Sequence, residues 1–73
     1  MNRIPTNFYR VTARATADGE KNTKGVHTIK TGDLLEIYKN DFGLLAYNLN
    51  THNYIYISKE YFRHSLTILE VAE

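Results

Sequence analysis

The 73-residue chain has no cysteine and no tryptophan, a single proline and four glycines. Without cysteine there is neither a disulfide to staple a small fold nor a thiolate to complete a zinc site. An excess of one charge is also missing: nine Lys and Arg stand against eight Asp and Glu, for a net charge of +1. Strong non-specific binding to nucleic acid depends on counterion release at many cationic contacts, so this balance argues against it while leaving a local basic patch open. No stretch approaches the length of a membrane span, and the opening MNRIPTNFYR lacks the apolar core of a signal peptide. A cytoplasmic protein with no membrane association is the expectation. There is no Gly-rich phosphate loop, nucleophile elbow or Cys–His pair. His27, His52 and His64 are far apart and show no metal-ligand spacing, so neither a metal nor another cofactor is expected.

What is present is ordinary for a folded protein: 42% hydrophobic and 23% charged residues. Residues 1–73 are long enough for one domain, of a size that buries only roughly 60% of the surface its unfolded chain exposes. The core must come from aliphatic side chains and from the six tyrosines and three phenylalanines. The abundance of Asn, Lys, Ile and Tyr points to an AT-rich coding sequence, of the kind carried by low-GC bacteria and their phages.

The stretch from Thr31 to Phe62 organises the chain, as three short strands cut by tight turns. Residues 1–7 form a loose lead-in, in which Pro5 removes a backbone donor and holds Ile4 extended. Phe8 to Ala15 alternates, with Phe8, Arg10, Thr12 and Arg14 on one face and Tyr9, Val11, Ala13 and Ala15 on the other. That period of two predicts a half-buried strand with the Val11 face inward. Thr16 to Gly25 is polar throughout; its Asp18-Gly19 pair suits a tight hairpin turn, and a longer loop fits equally well. After the short apolar piece Val26–Ile29 and a turn at Lys30–Asp33, Leu34–Lys39 predicts a strand with Leu35 and Ile37 inward. Leu44–Leu49 and Tyr54–Ile57 predict two more, separated by turns at Asn40–Gly43 and Asn50–Asn53. Ile55 and Ile57 share one face of the last, Tyr54 and Tyr56 the other. Ser58–Arg63 breaks the alternation and reads as a 3₁₀ turn. Ser65–Val71 closes the chain as a fifth strand, with Leu66, Ile68 and Glu70 on one side and Thr67, Leu69 and Val71 on the other. Five short strands at roughly 8–12-residue spacing predict an all-β barrel.

Three segments carry a resemblance to bacterial SH3 and other SH3-like domains, over roughly residues 8–71. Gly32-Asp33-Leu34-Leu35-Glu36-Ile37 is similar to the family's Gly-Asp-x-Leu-x-Val segment. Phe42-Gly43-Leu44-Leu45-Ala46 stands where that family starts a strand with tryptophan. Tyr56-Ile57-Ser58-Lys59-Glu60-Tyr61-Phe62 resembles its Tyr-Val-Pro-Ser-Asn-Tyr-Val. The resemblance implies a small five-stranded SH3-like barrel with a long first loop and a 3₁₀ turn before the last strand. The chain departs from the family's peptide groove, because Gly43 or Leu44 replaces its tryptophan and Ser58 its proline, whereas Tyr61 is retained and Asp18 and Glu20 can stand for its loop acids. Recognition of proline-rich peptides in its usual form is therefore not expected.

Function is expected to lie in binding rather than catalysis, since little chain remains for a deep cleft once the barrel is built. The candidate partner-binding residues are Tyr38, Tyr54, Tyr56, Tyr61, Asp18 and Glu20, because tyrosine pairs an apolar ring with a polar tip that suits interfaces. A single protein-binding face would suit a phage- or mobile-element-encoded adaptor or inhibitor of a host protein. The bland alternative is that these tyrosines only cover an incompletely buried core. A second class is nucleic-acid binding by Arg10, Arg14, Lys21 and Lys24 with the same aromatics as a stacking platform. A third is a peptidoglycan-binding module of the bacterial SH3 kind. A homodimer through an exposed edge strand stays open.

Overall fold

A computed structural model describes residues 8–72 of the chain. The alternating segments form β1 (Arg10–Ala15), β2 (Leu34–Asn40), β3 (Gly43–Asn48), β4 (Asn53–Ile57) and β5 (Leu66–Ala72), with one short helix, α1 (Lys59–His64), before the last strand. All five strands join one antiparallel sheet in the order β4-β3-β2-β1-β5. The fold is all-β apart from that helix. β4 and β5 are the two edges, and among the described residues no ladder joins them, so the sheet stays open.

Register explains the core, because cross-strand partners point to the same face. Val11 lies opposite Ile37, Ala13 opposite Leu35, Ile37 opposite Ala46, and Ala46 opposite Ile55. Val11, Ala13, Ala15, Leu35, Ile37 and Ala46 are buried, and Leu44, Ile55 and Ile57 pack half-buried against them. Ile29 from the long loop, Phe62 from α1 and Leu66 from β5 complete the cluster.

The expected long first loop joins β1 to β2. It is a folded excursion: Gly19 N donates to Ile29 O (2.8 Å), Asn22 N to Val26 O (2.8 Å) and Thr28 N to Glu20 O (3.2 Å), with a bridge between Lys21 and His27. Gly19 lies so close to this return arm that a Cβ there would sit 3.1 Å from Ile29 Cβ. The loop's far end is tied through Asn48, a fully buried polar residue. Its Nδ2 donates to Asp33 Oδ2 (2.8 Å) and Thr28 O (3.3 Å), while its Oδ1 accepts from Asn50 N (2.9 Å) and Thr51 N (3.3 Å). One side chain thus joins the loop, the Gly-Asp turn and the β3–β4 hairpin, with its hydrogen-bonding capacity filled.

Three expectations are corrected. β1 begins at Arg10 rather than Phe8, because the chain bends at Tyr9. Phe8 then turns inward to stack on Phe62 (ring centroids 6.0 Å apart) and Tyr9 turns outward against Tyr38 (6.3 Å), reversing the faces the alternation assigned them. The ring without a hydroxyl takes the dry side. The 3₁₀ turn is instead an α-helix, closed by bonds from Phe62 N to Ser58 O (3.0 Å) and Ser65 N to Tyr61 O (2.9 Å). Ser58 caps it by accepting from Tyr61 N, Glu60 stands in the first turn, and Arg63 and His64 stand in the last, which suits the helix dipole. In β5 a bulge opposite Thr12/Ala13 inserts one residue, so Glu70 pairs with Thr12 on the outer face and Val71 with Val11 on the inner.

Candidate functional site

The face of the sheet turned away from the core is paved with phenols. Tyr54 lies opposite Tyr47, Tyr47 opposite Glu36, Tyr56 opposite Leu45, and Leu45 opposite Tyr38. The Tyr47 and Tyr54 rings are 4.7 Å apart, within the range of favourable aromatic pairs. Tyr9, Tyr54 and Tyr56 are 68%, 63% and 54% exposed, so these rings are not sealed by the rest of the chain. Several hydroxyls are oriented from within the layer: Tyr38 donates to Glu36 Oε1 (3.3 Å), Asn40 Nδ2 donates to the Tyr56 oxygen (3.1 Å), and Tyr47 shares a hydrogen bond with His52 Nδ1 (3.1 Å). Partial desolvation, reinforced by the Glu36 carboxylate, raises the Tyr38 phenol above its ordinary pKa.

Tyr61, Asp18 and Glu20 do not share that face. Tyr61 projects from α1 and donates to Ala17 O in the long loop at 2.6 Å. Desolvation, followed by the charges of Asp18 and Asp33, pushes its pKa up to about 12, so it serves as a neutral donor. Asp18 accepts from Thr31 N (2.8 Å) and Thr31 Oγ1 (3.0 Å), and these bonds, with the charges of His27 and Lys30, lower its pKa. Tyr61 and Glu20 line a cleft of about 190 Å³ between the loop and β4, with Gly19, Lys21, Ile29 and Ile57. The candidate residues are thus divided between the outer phenol layer and this cleft, which meet at Tyr56, because α1 and the loop pack on the core side of the sheet while β2–β4 turn their phenols outward.

The four basic candidates do not converge either. Arg10 and Arg14 lie on the outer face of β1, Arg10 paired with Glu70 (3.4 Å) and Arg14 donating to Gly32 O (2.9 Å). Lys21 belongs to the wall of the cleft, and Lys24 to the exposed loop tip, where its N–H bonds Asn22 Oδ1 (2.8 Å). Among the described residues no continuous basic stripe follows the aromatics. Among the described residues no group of three or more His, Asp or Glu is placed to hold a metal ion, and no helix is long and apolar enough to cross a membrane.

Sequence reasoning missed three contributors. Tyr9 and Tyr47 belong to the outer layer; the position of Tyr47, in phase with Leu45 and across a hairpin from Tyr54, was a readable signal. Phe42, at the tip of the β2–β3 hairpin, is 86% exposed. The turn around it needs Gly43 at a φ of +129°, a region open to glycine and strained for other residues. No family model, curated protein or solved structure matches the chain.

Proposed function

We propose that the chain is a small non-catalytic SH3-like barrel that binds another protein, as a phage- or mobile-element-encoded adaptor or inhibitor of a host protein. The observation that carries this reading is the layer of open phenols on the outer face, centred on Tyr38, Tyr54 and Tyr56 and extended by Tyr9 and Tyr47. The strand order, with the long loop after β1 and the short helix before β5, supports the SH3-like part of the proposal. Tyrosine offers a large contact area for little side-chain entropy, and its hydroxyl finds partners at the rim as the ring is buried. Tyr54 and Tyr56 stand on one side of β4 and enter the partner together, while Tyr38 and Leu45 extend the contact toward the sheet centre. Arg10, Glu36 and Glu70 supply a mixed polar border that sets orientation more than affinity.

The test is capture of a partner from host lysate by immobilised chain, compared with the Tyr54→Thr/Tyr56→Thr variant. Threonine retains β-forming character and removes both rings. The specific partner is expected to be lost with the fold intact by circular dichroism. Undiminished capture by a folded double variant contradicts the proposal.

A further inference from the structure

Among the described residues β4 is paired on one side only. The bond from Leu49 N to Leu34 O (2.9 Å) sets the phase of the β2–β3 ladder, in which alternate residue pairs exchange hydrogen bonds. The bonded pairs there are then Glu36 with Tyr47 and Tyr38 with Leu45, which leaves Leu44, Ala46 and Asn48 to bond β4 through Ile57, Ile55 and Asn53. The main-chain N–H and C=O groups of Tyr54 and Tyr56 therefore point away from β3, and neither residue makes a main-chain bond to any other described part of the chain.

This free edge borders the cleft. Ile55, Tyr56, Ile57 and Ser58 line it as an unbroken run. Because side chains of a strand alternate between faces, consecutive residues meet one cleft only along the strand's edge. The opposite wall, Gly19–Lys21, is pinned by its bonds to Thr28 and Ile29, and His27 Nδ1 lies 2.6 Å from Gly19 O. The two edges of the sheet also differ in how they are guarded. Proteins blunt exposed edges with charges, proline or bulges; β5 has Glu70 and a bulge, whereas NYIYI in β4 has no charge, no proline and no bulge.

We propose that β4 accepts an extended segment of the partner protein as an added strand, laid between its free edge and the Gly19–Lys21 wall. Rows of main-chain hydrogen bonds to Tyr54 and Tyr56 hold the segment, and an aliphatic side chain enters the cleft over Ile29 and Ile57. The proposal rests on the reading of the chain as a protein-binding module, but it uses the main-chain edge rather than the outer phenols. The segment must be rich in β-branched or aromatic residues and free of proline wherever it donates to β4. Glu20 and Lys21 on the wall offset each other, so no strong charge preference is imposed.

The probe is a random peptide library of strand length selected on the full chain, with the winning peptides resynthesised. Enriched peptides are expected to be proline-poor and β-forming. N-methylation of every second peptide amide should weaken binding by about tenfold or more, while the intervening amides tolerate it. On saturation the amide protons of Tyr54 and Tyr56 should slow in hydrogen exchange, whereas those of Ile55 and Ile57 are protected already. Tyr56→Pro removes an outward donor that the β3 ladder does not use, and should also weaken binding by about tenfold; if that variant does not fold, the peptide series and exchange data still decide. No enrichment, proline-rich winners, an N-methyl series without a two-residue period, or a β4–β4 dimer by sedimentation each overturns the strand-addition proposal. Peptide binding that shifts only Tyr38, Tyr54 and Tyr56 ring signals overturns it while supporting the outer face as the contact.

Discussion

Tyr54 and Tyr61 stand on either side of Ser58, yet they occupy opposite circumstances. Tyr54 lies on the outer face with its ring against Tyr47 and most of its surface in water. Tyr61 leans over the loop, donates a hydrogen bond to Ala17 O, and has its pKa pushed up to about 12. The same side chain is a structural clasp where a backbone carbonyl waits for it and a free contact surface where none does. What separates the two regions is which face of the sheet the rest of the chain packs on. The loop and α1 both close over the inner face, and nothing among the described residues covers the outer one.

The comparison breaks most visibly on the inner side. Leu35→Ala empties a fully buried site and should cost about 3 kcal/mol, a large share of the total stability of so small a domain; urea unfolding measures it. Asn48→Ala should follow at about 2–3 kcal/mol, since it leaves Asp33, Thr28 O and the Asn50 and Thr51 amides short of partners. Its thermal midpoint should fall by more than that of any outer-face tyrosine variant.

Tyr61→Phe sharpens the contrast further. At neutral pH it should cost about 1 kcal/mol for the lost bond to Ala17 O. Because folding raises the Tyr61 pKa above the ordinary phenol value, its stabilisation is complete below about pH 10 and is lost as the pH climbs toward 12. Unfolding followed through that alkaline window should show a steeper decline in the native chain than in the variant. Asp18 works in the other direction: folding lowers its pKa, so its contribution is present above about pH 4 and disappears as the pH falls through the lowered value. Asp18→Asn should therefore lower stability at pH 7, where that contribution is in place, and flatten the acid limb, so that the two chains converge as the pH falls through the lowered value.

Much of the sheet was legible because two-residue alternation states directly which side chains face inward. Val11, Leu35 and Ile37 are buried as that alternation implies, and Tyr54 and Tyr56 are open. The misreadings sit where alternation gives out. At Phe8-Tyr9 both neighbours are aromatic, and only the tertiary neighbours Phe62 and Tyr38 decide which turns in. In β5 a bulge shifts the phase without any glycine or proline to announce it. Tyr61 joins the candidates through its match to the family's retained tyrosine, and the helix between β4 and β5 carries it to the inner side of the sheet rather than to the phenol layer. Asn48 gave no local sign of its role, because its partners come from segments distant in sequence.

The most direct measurement is urea unfolding of Tyr54→Thr/Tyr56→Thr beside Leu35→Ala. If the outer phenols are a surface held for contact, the double variant loses less than about 1.5 kcal/mol, most of it the Tyr47–Tyr54 ring pair, and keeps a native-like transition. A loss equal to that of Leu35→Ala would make those rings part of the core and contradict the assignment of the outer face to a partner.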